Sequence, residues 1–237
     1  MRFLCTGKIR GNGKTDIMER KENIIVTYFK KVGWKRVLVM ILGNVFLGMG
    51  ISIFKFAGLG NDPFSGMVMA LADLAGVQYA NLHVVLNLFI FVLEIAFGRS
   101  LIGAGTIVNA FFLGYIGTFF YNLWTHFFAL PQSLVLQIPI MLIGTIVTGF
   151  GISMYQTPNV GAAPYDSLSL IMAKRIPRIS YFWHRIFTDA ICALICFLAG
   201  GIVGLGTLVS ALGLGPVIDF FNVHFTRKLF REGEDIL

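Results

Sequence analysis

The chain alternates long apolar runs with short breaks that contain glycine, proline and polar residues. Because an α-helix rises about 1.5 Å per residue, a run of about 20 apolar residues can cross the hydrocarbon core of a bilayer. Runs of this length cover residues 36–56, 79–97, 101–124, 134–155, 181–199 and 202–223. The pattern therefore predicts six membrane-spanning helices.

Two further apolar runs are shorter, at residues 63–75 and 164–176. Each has proline at its first helical position, where the missing N–H costs nothing, and a loop with glycine just before it. A helix of about 13 residues is only about 20 Å long, which is too short to cross a bilayer comfortably. We interpret both runs as half-helices that enter the membrane and turn back; the alternative is two thin additional spans.

The two halves of the chain repeat each other at a fixed separation of 101 residues. About twenty identities at one offset, without a gap, are typical of an internal duplication. The best-matched segments are 48–52 with 149–153, 60–63 with 161–164, and 103–114 with 204–215. We therefore expect two copies of one helical unit.

Composition supports a lipid bilayer as the environment, since 56% of the residues are hydrophobic and 13% are charged, with a mean hydropathy of +0.77. The net charge of +7 does not indicate nucleic-acid binding. Ten of the nineteen Lys and Arg residues lie in residues 2–36, ahead of the first apolar run, as in a basic tail beside a membrane.

Basic residues also suggest how the two copies are oriented. They flank the first run of the first copy, in residues 30–36, whereas the matching linker 125–136 has none. After the short run the bias reverses, since only the second copy carries basic residues there, in 174–185. Because basic loops favour the cytoplasmic side, the copies are predicted to lie in opposite orientations, with both termini cytoplasmic.

The predicted architecture is an all-α integral membrane protein with two inverted repeats, each of three transmembrane helices plus a short re-entrant half-helix. The repeats occupy residues 36–124 and 136–224, with a linker at 125–135. A basic cytoplasmic tail of residues 1–35 precedes them, and a cytoplasmic tail of residues 225–237 follows. Residues 24–29 of the first tail are apolar, which fits either a helix on the membrane surface or a disordered segment.

The breaks before the half-helices are candidates for a substrate site. Irregular backbone within a membrane is tolerated only where protein or water covers it, and half-helix N-termini attract anionic or carbonyl groups. Polar residues of these breaks and of the last span of each copy could bind a solute, or could instead cap and join helices. The candidates are Asn61, Asp62, Ser65, Thr106, Asn109, Asn159, Tyr165, Asp166, Thr207 and Ser210.

Ionisable residues within or beside the apolar runs are candidates for proton coupling, because a charge in the membrane is costly unless it is paired or hydrated. The candidates are Glu94, Asp189, Asp219, His83 and His184. Asp189 and Asp219 are the stronger acidic candidates, since Glu94 lies nearer the end of its run. The two histidines occupy matching positions and either reach the membrane interface or carry protons.

No motif indicates catalysis. A Walker loop, a nucleophile elbow and a His-Glu-x-x-His motif are missing, and the Gly-x-Gly pairs lie inside apolar runs rather than after a strand. The three cysteines form no metal motif. We therefore expect neither an enzyme nor a protein with a bound cofactor or metal.

Several short motifs resemble the YczE and YitT type of bacterial integral membrane protein. They are Gly58-Leu59-Gly60-x-Asp62-Pro63, Gly103-x-Gly105-Thr106-x-x-Asn109-Ala110, and Gly204-x-Gly206-Thr207 continuing to Gly215-Pro216-x-x-Asp219. The resemblance covers about residues 36–225 and implies a small multi-pass protein of the bacterial cytoplasmic membrane. Family members often have Trp-Asp after the first proline; this chain has Phe64-Ser65 there and keeps an aspartate, Asp166, in the second copy.

The sequence favours a small membrane transporter or channel for a small polar or anionic solute, bound between the two half-helices near the membrane midplane. The alternative is a non-transporting membrane module, either a substrate-capture subunit or a scaffold for a membrane-associated complex. Both functions are compatible with a homo-oligomer.

Overall fold

The computed structural model describes residues 33–179 and 181–231, and within these ranges the chain is helical, with no strand. The apolar patch at 24–29 lies outside the described residues. The helices are α1 (Trp34–Ala57), α2 (Pro63–Ala75), α3 (Tyr79–Phe97), α4 (Ala104–Phe127), α5 (Leu134–Gln156), α6 (Pro164–Arg175), α7 (Tyr181–Leu198), α8 (Leu205–Phe221) and α9 (Arg227–Arg231). A 3-10 turn (Arg99–Leu101) precedes α4, and a π-helical turn (Asn222–Thr226) joins α8 to α9. The predicted all-α class is confirmed.

Six of the helices are long and apolar enough to cross a membrane, namely α1, α3, α4, α5, α7 and α8 with its continuation to Phe230. Large apolar side chains on their outer faces are exposed, including Phe89, Phe119 and Phe187. Such a surface is unfavourable in water and favourable in hydrocarbon, so the chain is a multi-pass membrane protein. The predicted spans agree with these helices to within a few residues at each end.

The two short helices are α2 and α6, with 13 and 12 residues. Pro63 and Pro164 occupy their first positions, as the sequence predicts. The N-terminus of α2 is capped by Asp62, whose side chain accepts a hydrogen bond from the Ser65 N–H. No side chain caps α6 in this way.

Helices α1 and α5 cross closely at the centre of the fold. A Cβ atom on Gly151 would lie 2.4 Å from the backbone nitrogen of Leu47, and one on Gly50 would lie 2.7 Å from that of Thr148. Gly50 and Gly151 are 101 residues apart, and so are Leu47 and Thr148. Each contact is therefore the counterpart of the other, with the two halves exchanged. Only glycine allows the backbones to come this close, so the crossing depends on it.

The backbone breaks before α2 and α6 pack against the opposite half of the chain. The Gly206 N–H donates to the Leu59 carbonyl at 2.8 Å, and the Gly105 N–H donates to the Val160 carbonyl at 2.9 Å. Gly161, at a φ of 118°, lies close against the loop before α4. Each break therefore contacts the first turn of the last long helix of the other half.

The crossing generates a stability prediction with a matched control. Gly151→Ala forces α1 and α5 apart, so we expect it to lower the free energy of unfolding by about 1–3 kcal/mol. Gly215→Ala is the same change in α8, where a Cβ meets no atom within 4 Å, and it should be neutral or slightly stabilising. Thermal unfolding of both variants in detergent compares them, and equal unfolding temperatures would contradict the role of the crossing.

Candidate functional site

A small cavity of about 60 Å³ lies between the two halves of the chain, beside the first turns of α2 and α6. Most of its lining consists of residues at matching positions of the two halves. The pairs are Leu47 with Thr148, Ile51 with Ile152, Asp62 with Ala163, Phe64 with Tyr165, Ser65 with Asp166, and Leu113 with Leu214. His83, Asn109, Tyr155 and Arg185 complete the lining. Equivalent backbone positions therefore face one shared space, which we call the central cavity.

Two aromatic rings bring the short helices α2 and α6 together at this cavity. The rings of Phe64 in α2 and Tyr165 in α6 stack with their centroids 4.5 Å apart and their planes inclined by 14°. Both residues occupy the second position of their helices, directly after the proline. The N-terminal turns of α2 and α6 therefore meet at the cavity.

An ion pair from the second half lies on one side of the cavity. The Arg185 guanidinium donates to Asp166 Oδ1, and its Nε lies 3.4 Å from Asp189 Oδ2. The guanidinium carbon also lies 4.8 Å from the centroid of the Tyr165 ring, and the Tyr165 hydroxyl donates to Asp189. One cation thus contacts two carboxylates and an aromatic face.

The second oxygen of Asp166 is also held by protein groups. It accepts hydrogen bonds from the Tyr155 hydroxyl and from the Gln156 side-chain amide, the latter at 3.1 Å. Both donors lie at the C-terminal end of α5. Together with Arg185 and Asp189 they form a polar network that links α5, α6 and α7.

The first half has no matching network. The residues 101 positions before Tyr155, Asp166, Arg185 and Asp189 are Phe54, Ser65, Val84 and Leu88. The polar side chains that the first half contributes to the cavity are instead Asp62, Ser65, His83 and Asn109. The backbone arrangement is therefore repeated while the chemistry of the two sides differs.

Two buried oxygen atoms of cavity-lining residues have no hydrogen-bond partner among the described residues. They are Asp62 Oδ2, on the first half, and Thr148 Oγ1, on the second. A buried polar atom without a partner costs free energy, typically about 1–3 kcal/mol. Such atoms often mark a place where water, an ion or a ligand completes the hydrogen bonding.

The structure corrects the roles predicted for Ser65 and Asp166 as helix caps. The cap of α2 is the Asp62 carboxylate, which bonds the backbone of Ser65. Asp166 lies in the first turn of α6, but its carboxylate bonds Tyr155, Gln156 and Arg185 rather than the N-terminal N–H groups.

The four candidates in the last long helix of each half make contacts within the protein. Thr106 Oγ1 accepts from the Gly103 N–H at 3.1 Å, at the start of α4. Asn109 donates to Asn44 Oδ1 at 3.0 Å, and it also lines the central cavity. Ser210 donates to the Thr207 carbonyl at 3.0 Å, on α8. Of these four, the structure brings Asn109 to the cavity.

The two asparagines of the breaks lie in different places. Asn61 is buried and bonds the Ile51 carbonyl at 3.0 Å, so it holds the first break against α1. Asn159 has a positive φ of 54° and is exposed in a second, larger pocket of about 530 Å³. Asp166 lines both this pocket and the central cavity, so its side chain lies between the two spaces.

The candidates for proton coupling divide into buried and exposed groups. Asp189 is buried within the Arg185 network, and Glu94 is fully buried in α3, where neither of its oxygens has a hydrogen-bond partner in the part of the chain that the structure describes. Asp219 is exposed on α8 and lines neither space, so the structure does not bring this candidate to the cavity. His83 and His184 are both buried against protein, and of the two His83 lines the central cavity.

Sequence reasoning missed Arg185, Tyr155 and Thr148 as residues of the cavity. Arg185 was interpreted as a loop cation, because it falls near the start of an apolar run. The available signal was its spacing to Asp189, since residues four apart share a helix face and can form an ion pair.

Residues 34–223 match the model of a family described as "Family of unknown function (DUF6198)", and the chain belongs to this family. An "Uncharacterized protein" of Haemophilus influenzae is 27% identical, over 79% of this chain and 84% of its own length. The "Uncharacterized protein YyaS" of Bacillus subtilis is 24% identical, over 79% and 94%. The "Uncharacterized membrane protein YczE" of B. subtilis is 23% identical, over 75% and 81%, which confirms the predicted resemblance to the YczE type. No solved structure matches this chain significantly.

The polar network yields a prediction on stability. Arg185→Gln leaves Asp166 and Asp189 without their cation, so we expect it to lower the free energy of unfolding by roughly 3 kcal/mol. This value is at the low end for a buried ion pair, because 27% of the Arg185 side chain is exposed. Arg178→Gln, the same change at an exposed arginine, should cost little. Thermal unfolding in detergent measures both.

A double variant separates the ion pair from packing effects. Asp166→Asn combined with Arg185→Gln should lose less stability than the sum of the two single changes, since the double variant leaves only Asp189 without its cation. Additive losses, or equal stability of the Arg185→Gln and Arg178→Gln variants, would show that the pair contributes nothing specific.

Proposed function

We propose that this protein is a small secondary transporter of the bacterial cytoplasmic membrane, and that it binds a small polar solute in the central cavity. In this proposal the two halves are inverted repeats, each with three transmembrane helices and one re-entrant half-helix, and both termini are cytoplasmic. The solute reaches the cavity from either face in turn, as one half rocks against the other.

The proposed inverted arrangement is supported by contacts that exchange the two halves. The contact of Gly50 with Thr148 has its counterpart in that of Gly151 with Leu47, and the backbone hydrogen bonds of the two breaks are paired in the same way. Reciprocal contacts of this kind are expected when two copies are related by a two-fold axis. If each copy crosses the membrane three times, that axis lies in the membrane plane.

The observation that carries the proposal is the lining of the central cavity by matching positions of both halves. A site on the axis between two repeats can open to either face when the repeats move, because each repeat supplies one wall. The cavity also lies beside the interrupted backbone, where a membrane protein tolerates irregular structure only if protein or water covers it.

The proposed orientation predicts which positions face the same side of the membrane. Val77 and Arg178 are exposed and occupy matching positions after the two short helices. Single cysteines at these positions, in a background with the native cysteines changed to alanine, should react with an impermeant thiol reagent from opposite faces. Reaction of both from the same face would exclude inverted repeats.

Alternating access predicts that a cysteine in the central cavity is reachable from both faces of the membrane. In the same background, Ser65→Cys should react with a small impermeant methanethiosulfonate in right-side-out and in inverted vesicles. Ser169→Cys is the control, since Ser169 is fully buried, bonds Thr188 at 3.1 Å and does not line the cavity. It should react from neither face.

The same labelling experiment tests the alternative function. A substrate-capture subunit or scaffold needs no access from two faces, so its Ser65→Cys variant would react from one face or from none. Either result would refute the transport cycle proposed here.

A further inference from the structure

We infer that the central cavity binds a small monovalent cation, either an inorganic ion or a small protonated amine. This inference deepens the proposed function, since it names the charge class of the solute, but the binding that it describes does not require transport. The half-helix N-termini alone favour an anion. The charge of the solute therefore depends on which charged groups of the protein already lie beside those N-termini.

The positive ends of both half-helices carry carboxylates of the chain itself. At α2 the Asp62 carboxylate accepts the Ser65 N–H at 3.0 Å. At α6 Asp166 lies within the first turn. A helix N-terminus is equivalent to about half a positive charge, which one carboxylate fully offsets. The two helix ends together supply about one positive charge. The Asp62 carboxylate caps one end, whereas Asp166 lies beside the other and bonds Arg185 rather than the N–H groups of α6.

The charged groups at the cavity leave an excess of negative charge. Among the lining residues, Asp62 and Asp166 are acidic and Arg185 is basic, and Arg185 is shared with a further carboxylate, Asp189. Three carboxylates thus face one guanidinium. Asp62 Oδ2 is the carboxylate oxygen that has no partner among the described residues.

The buried histidine does not supply the missing positive charge. The Asn87 side-chain nitrogen lies 2.9 Å from the His83 carbonyl, which identifies it as the donor end of the amide. The same nitrogen lies 3.1 Å from His83 Nδ1 and 3.3 Å from His83 Nε2, so it faces one or the other ring nitrogen as a donor. A donor that faces this ring nitrogen requires it to be unprotonated, as in a neutral imidazole.

Both the available ligand atoms and the available space suit a small cation. Asp62 Oδ2 is a buried carboxylate oxygen without a partner among the described residues. Thr148 Oγ1, from the other half, is a second such oxygen and packs against Gly50 of α1. The Phe64 ring lines the same space, and aromatic rings attract cations; the Tyr165 ring already contacts Phe64 and Arg185. A volume of about 60 Å³ holds only a few groups the size of a water molecule, since each needs about 10–15 Å³.

Ligand-induced stabilisation tests this inference in the full-length protein. The protein in non-ionic detergent is heated while its intrinsic fluorescence is recorded, at constant ionic strength. The cations compared are sodium, potassium, ammonium and methylammonium, each as the chloride, with N-methylglucamine chloride as a bulky reference. A bound cation should raise the unfolding temperature by roughly 3–6 °C at a tenfold excess over its dissociation constant.

Two variants assign the effect to the cavity. Asp62→Asn removes the charge and keeps an N-cap of similar strength, so the variant should fold and lose the stabilisation by the cation. Asp73→Asn makes the same change at an exposed carboxylate of α2 and should keep it. Thr148→Val removes the second unpartnered oxygen and should weaken the effect.

Other outcomes would overturn the inference. Stabilisation by sodium salts of small anions but by none of the small cations would assign the site to an anion. A cation effect that persists unchanged in Asp62→Asn and Thr148→Val would place the ion elsewhere. Because binding is measured in detergent, where no transport takes place, stabilisation by a cation would stand even if the transport proposal failed. If no cation binds, the alternating access tested by cysteine labelling is not affected.

Discussion

The fold depends on how its interrupted backbone is covered. In hydrocarbon, each unpaired N–H or C=O group costs several kcal/mol, so a break in a helix is tolerated only where other protein groups complete it. Here the Leu59 and Val160 carbonyls accept hydrogen bonds from Gly206 and Gly105 of the opposite half. Because each half completes the backbone of the other, a single copy of the unit would leave these groups unpaired within the membrane.

The contacts within each half differ in kind from those between the halves. The buried side-chain hydrogen bonds of the polar network all link helices α5, α6 and α7 of the second half, and Asn44 with Asn109 links α1 to α4 of the first. Between the halves, glycines and stacked rings provide close apolar packing. The polar network therefore fixes the geometry of the second half, while backbone hydrogen bonds and close packing join the two halves.

Sequence reasoning recovered the features that depend on length and local chemistry. The six long helices follow from the apolar runs, and the two short ones follow from Pro63 and Pro164 with the loops before them. It did not recover which face of each long helix points inward, because the runs are apolar on every side and give no helical period to interpret. The apolar run around Asp219 therefore did not show that this residue is exposed, and the only sign that Arg185 belongs to the cavity was its spacing to Asp189.

The same limit explains why the half-helix N-termini alone led to an expectation of an anionic solute. The dipole argument follows from backbone geometry, which the sequence predicts, but the net field also depends on nearby carboxylates. The two halves place these carboxylates at different positions. The first half has Asp62 directly before α2, where the matching residue of the second half is Ala163. The second half has Asp166 in α6, where the matching residue of the first half is Ser65. One half places its carboxylate at the helix cap, where it bonds the N–H of Ser65, and the other places it at the third residue of the helix, where it pairs with Arg185. The charge that a solute meets in the cavity is therefore set by these side chains rather than by the repeated backbone.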